Sequence, residues 1–268
     1  MKEHLELIQI ANEMMNRSRA VIMSYYNSGV SVEWKADATP VTIADQKAEE
    51  VAREFVAQVM PEAGVVGEEF GVEGVKSGYN WVIDPIDGTK SFIRGVPLFG
   101  TLLALYKDDQ PILGCIDLSA LDQRMIACAG QGIRVNEQLV KCSEVSKLQD
   151  SCILSGTINT FEESIYGNGF ANLRRKAQIH RGWGDAFGYF QVACGRAEVM
   201  ADPIVSVWDI APMDVIFAEA GGRFSQLDGS VGQVGHALKT QNVALLKQEY
   251  NGLATNQKLG DEVRKFFL

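Results

Sequence analysis

Acidic residues stand at several points where an apolar stretch of the chain meets a turn, and carboxylates in such positions can bind cations. The segments are VTIAD with Asp45, GEE with Glu68 and Glu69, DPIDGT with Asp84 and Asp87, and WDIAP with Asp209. One acid after a strand is usually a turn or cap residue. Several acids that converge at the edge of a core repel one another, so they must protonate or find cations.

The other ligand types in the chain narrow the kind of cation. No cluster of Arg or Lys accompanies the acidic segments, and the three histidines, His4, His180 and His236, are scattered. The five cysteines show no C-x-x-C spacing. Oxygen ligands without His or Cys favour Mg²⁺ over zinc.

The segment DPIDGT can do more than bind a cation. The proline stiffens the turn after a strand, so that Asp84 and Asp87 can point to one side, and the carbonyl of Ile86 can add an oxygen. Gly88 lets the backbone come close to a ligand, and a helix starting there would offer the amides of Gly88 and Thr89 to an anion. Spacing alone leaves two interpretations open, an ordinary Asp-Gly turn and a loop that binds cations and phosphate together.

Composition excludes some classes of protein. The chain has 268 residues, 46% of them hydrophobic, and a formal net charge of −9. Because neutralising nucleic-acid phosphates requires a basic face, we expect no nucleic-acid partner. The charged N-terminal segment resembles neither a signal peptide nor a membrane span, and no long apolar run occurs elsewhere, so we expect no membrane association. An odd number of cysteines among apolar neighbours indicates reduced thiols and a cytoplasmic protein.

The first half of the chain reads as two helices followed by strands. Apolar spacing predicts a helix over residues 3–27 and a second over 44–60, with a polar connector between them. GVVGEEF and YNWVIDP are expected to be short buried strands. Residues 99–135 alternate between apolar stretches and turn residues, which predicts an antiparallel meander.

The second half alternates between strands and helices. Strands are predicted in SCILSG, AEVMAD, GRFSQLDG and NVALLK, and helices in WGDAFGYFQVACG, WDIAPMDVIFAEAGG and residues 257–267. No linker or internal repeat divides the chain. Mixed helices and strands of this kind are expected to pack as layers of helices and sheets.

The chain resembles the inositol monophosphatase superfamily of Mg²⁺-dependent, lithium-sensitive phosphatases. The motifs, in order, are KADATPVTIAD, GEEF, WVIDPIDGTKSF, GIRVNE, WGDAFGYFQVACGRAEVMADP and WDIAPMDVIFAEAGG. The resemblance implies an α+β fold, the layered αβαβα sandwich of the inositol monophosphatase and fructose-1,6-bisphosphatase type. It also implies one domain over 1–268 with two lobes, about 1–140 for metal and phosphate and about 141–268 for substrate specificity, and a homodimer.

The same resemblance implies a metal site for two to three Mg²⁺ ions, with Mn²⁺ as a substitute. Glu68, Asp84 and the carbonyl of Ile86 would hold the first ion, and Asp84, Asp87 and Asp209 the second. Glu68 would also help a third ion and so counts among the catalytic residues.

Further roles carry over from the family to matching residues. Thr89 with Asp45 would orient and deprotonate the attacking water. The amides of Gly88 and Thr89 would hold phosphate oxygens of a small-molecule phosphate monoester. Lys35 would lie on a loop that closes over the site, and Glu69 would stand beside the metal ligands.

The segment RGWGDAFGYFQVACGRAEVMADP bears on the substrate. Asp185 after Gly184, and Asp202 before a proline, resemble the histidinol-phosphatase branch more than the inositol branch, whose members usually carry a small uncharged pair after that glycine. Two carboxylates would suit the ammonium and imidazole of histidinol phosphate. Asp185 could instead cap a helix, Asp202 could be a turn residue, and Arg181 could line the pocket or merely pack.

Three functions are therefore weighed. The first is Mg²⁺-dependent hydrolysis of L-histidinol phosphate, a step of histidine biosynthesis. The second is an inositol-1-monophosphatase or a broad-specificity sugar or nucleotide monophosphatase; Ile43, where the histidinol-phosphatase branch more often has Glu, keeps this alternative open. The third is a non-catalytic interaction protein, against which the intact set of acids argues.

Overall fold

A computed structural model places residues 2–28, 32–34 and 40–268. Its helices are α1 (Lys2–Tyr25), α2 (Ile43–Val59), α3 (Thr89–Phe92), α4 (Ile158–Glu163), α5 (Gly167–Lys176), α6 (Asp185–Ala193), α7 (Val207–Ile210), α8 (Met213–Ala220), α9 (Gln233–Lys239) and α10 (Gly260–Arg264). Single 3₁₀ turns occupy Ser119–Leu121, Leu148–Asp150 and Leu245–Lys247.

The strands of the described chain fall into three sheets. They are β1 (Val32–Trp34), β2 (Pro40–Thr42), β3 (Gly64–Gly67), β4 (Gly71–Glu73), β5 (Tyr79–Asp87), β6 (Gly100–Lys107), β7 (Gln110–Leu118), β8 (Gln123–Cys128), β9 (Ile133–Val135), β10 (Gln138–Leu139), β11 (Cys152–Ser155), β12 (Ile179–Arg181), β13 (Val199–Val205), β14 (Gly222–Ser225) and β15 (Tyr250–Asn256). β1 and β2 pair as an antiparallel hairpin.

The two larger sheets differ in strand direction. The first has the order β10-β9-β8-β7-β6-β5-β3-β4, and all of its pairs are antiparallel except β3 with β5. The second has the order β12-β11-β13-β15-β14. In it β11 runs parallel to both of its neighbours, whereas β15 is antiparallel to β13 and β14.

Helices cover one outer face of each sheet and fill the space between them. α1 and α2 pack on the first sheet through Leu7, Met14 and Phe55, which cluster with Trp81 and Leu103. The apolar stripes of both helices are buried in this way, and burial of such stripes is what stabilises helices in proteins.

The middle helical layer consists of α6 and α8. Phe190 of α6 and Ile216 of α8 cluster with Ile116 of the first sheet and with Leu154 and Ala254 of the second. These apolar residues join the two sheets into one packed structure.

The last layer covers the outer face of the second sheet. Phe161 of α4, Phe170 of α5 and Val263 of α10 cluster with Ile153 and Leu253. The order helix, sheet, helix, sheet, helix confirms the expected α+β layered sandwich.

Most predicted elements are confirmed, but NVALLK is not a strand. The Asn242 side chain accepts hydrogen bonds from the amides of Ala244 and Leu245, at 3.1 and 3.3 Å, and this favours a 3₁₀ turn. The strand lies further on, at Tyr250–Asn256, where none was expected. The polar connector between the first two helices contains the β1–β2 hairpin, and α4, α5, β12 and α9 were also not predicted.

The helix predicted over WDIAPMDVIFAEAGG is two helices, α7 and α8. Pro212 has no amide to donate, so it interrupts the hydrogen-bond ladder between them. Among the described residues, no helix combines the length and the hydropathy needed to span a membrane. All five cysteines are free thiols.

Candidate metal centre

Three of the predicted acids meet at one point. Oxygen atoms of Asp84, Asp87 and Asp209 all lie within 4.8 Å of one another. Asp84 and Asp87 belong to the last part of β5, and Asp209 belongs to α7. The centre therefore joins the end of a strand of the first sheet to a helix from the second half of the chain.

An irregularity in β5 aims both of its acids at this point. Residues three apart on a regular strand face opposite sides of the sheet. The pairing of β5 with β6 shifts register between Asp84 and Asp87, which brings both carboxylates to one side. Asp84 Oδ1 accepts the amide of Ile86 at 3.0 Å, and Thr101 Oγ1 donates to the carbonyl of Pro85 at 2.8 Å. These bonds hold the shape of the irregular segment.

Asp209 combines a capping role with its place in the cluster. Its Oδ2 accepts the backbone amide of Ser206 at 2.7 Å, in a capping box at the start of α7. The cap interpretation and the ligand interpretation are therefore compatible, because the bond fixes the carboxylate while it faces Asp84 and Asp87.

The electrostatics of the cluster are unfavourable without a cation. Burial, with repulsion from neighbouring acids, raises the pKa of Asp84 and of Asp87 well above its ordinary value. Burial is also the main cause that raises the pKa of Asp209 to about 7. None of the ion pairs found among the described residues involves these three acids.

The donor set fits Mg²⁺. Asp87 Oδ2 is buried and finds no hydrogen-bond partner among the described residues. A buried carboxylate oxygen without a partner is costly, and a hard divalent cation would satisfy it. Because the cluster offers only oxygen atoms, it suits Mg²⁺ better than a softer metal.

Asp45 and Glu68 stand beside the cluster. Asp45 is buried at the start of α2 and accepts bonds from the amide and hydroxyl of Thr42, at 2.8 and 2.6 Å. Burial raises the pKa of Asp45 to about 6, and the charge of Glu68 adds to the shift against these two bonds. Glu68 also raises the pKa values of Asp84 and Asp209, after burial, so its charge acts on two of the three acids.

Thr89 was expected to orient the attacking water together with Asp45, and it lies beside the acids of the cluster. Thr89 Oγ1 donates to the carbonyl of Ile86 at 3.0 Å, next to the acids. Gly88 adopts a left-handed backbone with φ of 87°, and α3 starts at Thr89 directly after it. The amides of both residues therefore lie at the start of a helical turn beside the centre.

Glu69 is held by a residue that the sequence did not single out. Its amide donates to Glu49 Oε2 at 2.8 Å, and the amide of Phe70 donates to Glu49 Oε1 at 3.2 Å. Glu49 is fully buried on α2 and is paired with Arg53 at 2.7 Å. The Glu49 and Arg53 spacing of four residues on a predicted helix was the available signal.

Asp185 and Asp202 line one cavity of about 170 Å³, together with Asp87 and Asp209. The cavity therefore adjoins the metal centre. Lys90 and Tyr189 also line it, and the sequence had singled out neither for chemistry. Asp185 starts α6 with a φ of 55°, a strained backbone that is uncommon outside glycine.

Among the described residues that the sequence singled out for the substrate, Arg181 does not line this cavity. Arg181 is exposed at the end of β12, its Nη1 donates to the carbonyl of His180 at 2.8 Å, and it does not line the cavity formed by the described residues. Lys35 lies outside the described residues.

The chain is similar in sequence to proteins of one known family. A family model described as "Inositol monophosphatase family" matches residues 3–263. The chain is 34% identical to the histidinol-phosphatase of Streptomyces coelicolor, covering 98% of this chain and 97% of that protein. It is 38% identical to the histidinol-phosphatase of Chlorobaculum parvum, covering 80% of this chain and 83% of that protein.

Among solved structures, the chain is similar to the extragenic suppressor protein suhB of Bartonella henselae. The TM-score is 0.85 at 22% identity, and the match covers 98% of both chains. At this level of identity the likeness concerns the fold alone, and it agrees with the layers described above.

Proposed function

The chain belongs to the inositol monophosphatase family and is a phosphomonoesterase, and from that premise we propose that it hydrolyses L-histidinol phosphate to L-histidinol and phosphate with Mg²⁺. One observation carries the choice of substrate. Asp185 and Asp202 line the cavity that adjoins the cluster of Asp84, Asp87 and Asp209. A leaving group bound there would meet two carboxylates in addition to the metal ligands.

The charge of the leaving group makes the difference between substrates. Histidinol carries an ammonium and a titratable imidazole, whereas inositol carries only neutral hydroxyls. Hydrogen bonds between charged partners are about twice as strong as those between neutral ones. The cavity therefore suits the histidinol ester better, and the histidinol-phosphatases among the relatives support the same choice.

The proposed metal ligands are Glu68, Asp84 and the Ile86 carbonyl for one ion, and Asp84, Asp87 and Asp209 for another. Bound Mg²⁺ makes water more acidic and stabilises charge on the leaving oxygen. Hydrogen bonds from backbone amides hold the carboxylates of Asp84 and Asp209 in place, so these acids would bind the ions in a fixed position.

Asp45 and Thr89 are proposed to handle the proton of the attacking water. A carboxylate with a pKa of about 6 is suited to accept a proton near neutral pH, and Asp45 is held in place by Thr42. The amides of Gly88 and Thr89 would bind phosphate oxygens, and Glu69 would support Glu68. Arg181 and Lys35 remain proposed substrate contacts.

The substrate proposal is tested by phosphate release with Mg²⁺ from histidinol phosphate and from inositol 1-phosphate. We expect a higher kcat/KM on histidinol phosphate, and we expect Asp185→Thr to reduce that preference. A wild-type preference for inositol 1-phosphate would assign the chain to the alternative, an inositol or broad-specificity monophosphatase.

The metal proposal has its own test. We expect Asp84→Asn to lower kcat/KM by more than about 100-fold, because loss even of a residue that only supports a ligand costs up to that factor. Hydrolysis that survives this change, or calorimetry that detects no Mg²⁺ binding, would contradict the metal mechanism and revive a non-catalytic role.

Three further properties belong to the same proposal. We propose a single domain with two lobes, about 1–140 and about 141–268, a homodimer, and a cytoplasmic role in histidine biosynthesis. The free cysteines are compatible with a reducing compartment.

A further inference from the structure

The hydroxyl of Tyr189 is buried beside the acids, and no other group in the described part of the chain bonds to it. Tyr189 lies on α6, is 1% exposed, and its Oη makes no hydrogen bond among the described residues. It lines the same cavity as Asp185 and Asp202. Buried polar groups in proteins are almost always satisfied, so an unsatisfied hydroxyl in a cavity indicates that something else binds there.

The absence of a side chain at Gly252 leaves room for the Tyr189 hydroxyl. β13 and β15 pair Asp202 with Gly252, and a β-carbon on Gly252 would lie 2.3 Å from Tyr189 Oη. The hydroxyl therefore occupies the space of the missing side chain, next to the residue that pairs with Asp202. The ring is held edge-on against Phe224, with centroids 6.2 Å apart. Tyr189 is thus packed in one position.

The two carboxylates face a common space over another glycine. A β-carbon on Gly156 would lie 2.7 Å from Asp202 Oδ1 and 4.0 Å from Asp185 Oδ1. The amide of Gly156 donates to Asp202 Oδ1 at 3.1 Å, which fixes that carboxylate. The other oxygen of Asp185 lies 3.3 Å from the β-carbon position of Gly88, beside the expected phosphate loop.

We propose that Asp185, Asp202 and the Tyr189 hydroxyl together bind a primary ammonium group, and that the substrate class is the phosphate esters of 2-amino alcohols. A primary ammonium has three N–H donors and no acceptor, and these residues offer three oxygen acceptors. The phenol can accept from the ammonium while its own proton is donated to a carboxylate. This inference rests on the proposed function, since histidinol phosphate is such an ester.

The position of the ammonium follows from the position of Asp185. Its Oδ2 lies 3.3 Å from the β-carbon position of Gly88, and it lines the same cavity as Asp87 and Asp209. An amine on the carbon next to the ester carbon would therefore reach Asp185 from a phosphate bound at Gly88. Lys90 also lines the cavity and its charge acts on Asp185, but its side chain is exposed, and none of the ion pairs among the described residues joins the two. The amine, more than the imidazole, is therefore the recognised group.

Three esters distinguish the contribution of the amine from that of the imidazole. They are histidinol phosphate, its analogue without the amine, 3-(imidazol-4-yl)propyl phosphate, and its analogue without the imidazole, 2-aminopropyl phosphate. With wild-type enzyme and Mg²⁺, we expect removal of the amine to lower kcat/KM more than removal of the imidazole. A wild-type enzyme that hydrolyses the analogue without the amine as well as histidinol phosphate would overturn the inference.

Tyr189→Phe tests the third oxygen. We expect at least about a tenfold loss of kcat/KM on both amine esters, the effect of losing one hydrogen bond to a charged group. Hydrolysis of the ester without the amine, and the Mg²⁺ concentration for half-maximal rate, should not change. An equal loss on all three esters would show that the hydroxyl is only structural. Tyr250→Phe is the matched control, because that hydroxyl donates to the Leu245 carbonyl at 2.7 Å, and its substrate ranking should match wild type.

Gly252→Ala supplies an independent variant. Its methyl group would displace the Tyr189 hydroxyl, so we expect the same selective loss on the amine esters. In the double variant with Tyr189→Phe the methyl group would meet the ring carbon Cζ at 3.4 Å and Phe224 Cε2 at 3.5 Å, both ordinary contacts. The double variant should therefore have the same kcat/KM on the amine esters as Tyr189→Phe alone. Additive losses would show that Gly252→Ala does not act through the Tyr189 hydroxyl.

The two proposals fail in different ways. If wild-type enzyme hydrolyses 2-aminopropyl phosphate but not histidinol phosphate, the ammonium site stands and the proposed substrate is wrong. If it hydrolyses histidinol phosphate without regard to the amine, the substrate stands and the ammonium site is wrong.

Discussion

The carboxylate of Glu49 accepts the backbone amide of Glu69 at 2.8 Å, so a helix residue holds the turn that carries the acids after β3. The amide of Phe70 donates to the same carboxylate, and Arg53 neutralises its charge at 2.7 Å. A β-carbon on Gly67 would lie 2.0 Å from Glu49 Oε1, so the turn sits tightly on this side chain. The position of Glu68 therefore depends on α2.

We expect Glu49→Ala to weaken both the fold and the metal centre. Breaking a buried charge pair costs on the order of 3–5 kcal/mol of unfolding free energy. In the folded fraction, the Mg²⁺ concentration for half-maximal activity should rise, because the turn with Glu68 loses its anchor. Urea unfolding and Mg²⁺ titration measure the two effects. Glu50→Ala, an exposed neighbour on α2, should leave both unchanged.

The metal-free protein should lose stability as pH rises. The pKa of Asp209 is about 7 in the fold and 3.8 ordinarily, so the folded state binds more protons between those values. The contribution of Asp209 to the stability of the fold is complete below about pH 4 and is lost as pH rises through 7. Asp209→Asn removes this titration. In EDTA, the unfolding free energy of the variant should equal that of wild type near pH 4 and exceed it at pH 8 by on the order of 2–4 kcal/mol.

Urea unfolding at both pH values checks this expectation. Adding Mg²⁺ at pH 8 should stabilise wild type more than the variant, since binding to the folded state alone raises stability. Wild-type stability that is independent of pH in EDTA, or a variant that is weaker at pH 8, would contradict it.

Asp117 is a buried acid of a different kind. It is 0% exposed, yet Arg19 and Arg124 donate to it at 2.7 Å each, and Ser119 Oγ does so at 2.6 Å. Asp117→Ala leaves Arg124 without an acid and Arg19 with only Asp122, and it should cost about 3–5 kcal/mol of unfolding free energy. The Mg²⁺ requirement of the folded fraction should stay at the wild-type value.

A matched control for Asp117 is Asp122→Asn, because Asn removes the charge and tolerates the left-handed backbone of this position, with φ of 51°. Arg19 also bonds to Asp122 at 2.6 Å, but the Asp122 side chain is 89% exposed. Exposed ion pairs contribute about 0–1 kcal/mol, so this change should barely move the urea midpoint. Equal losses for the two variants would show that burial is not what makes Asp117 important.

Gly88→Ala should weaken phosphate binding. The backbone φ of 87° already disfavours a side chain, and the new methyl group would lie 2.9 Å from the Leu98 carbonyl. The loop must shift, so inhibition by inorganic phosphate should require a higher concentration. Gly71→Ala has a similar φ of 70° and no atom within 4 Å of the added carbon. It should cost about 1 kcal/mol of stability and leave phosphate inhibition unchanged.

The cluster of three acids could be predicted because each of them lies at one end of an apolar stretch. Asp84, Asp87 and Asp209 follow strands or begin a helix, and such ends meet at the edge of a core. Asp209 was expected at the start of a helix, and it lies in the first turn of α7, where Ser206 is the N-cap. What the spacing did not show is the register shift in β5, since it depends on the pairing with β6.

Tyr189 and Glu49 could not be recognised in the same way. Tyr189 stands on an apolar helix, where an aromatic residue usually means packing, and its hydroxyl matters only because β13 and β15 bring Gly252 beside it. Glu49 looks like one of several charged residues of α2. Its burial depends on a turn from another part of the chain, and sequence periodicity carries no information about such contacts.

The contact of Asp84 and Asp87 with Asp209 affects how the chain folds during its synthesis. Asp84 and Asp87 leave the ribosome long before α7 is made, so a nascent chain carries an incomplete set of ligands for most of its synthesis. Closing long loops costs entropy before their contacts repay it, and such contacts form late. Metal capture is therefore expected to be among the last events of folding, and a truncated chain that ends before α7 should bind Mg²⁺ weakly.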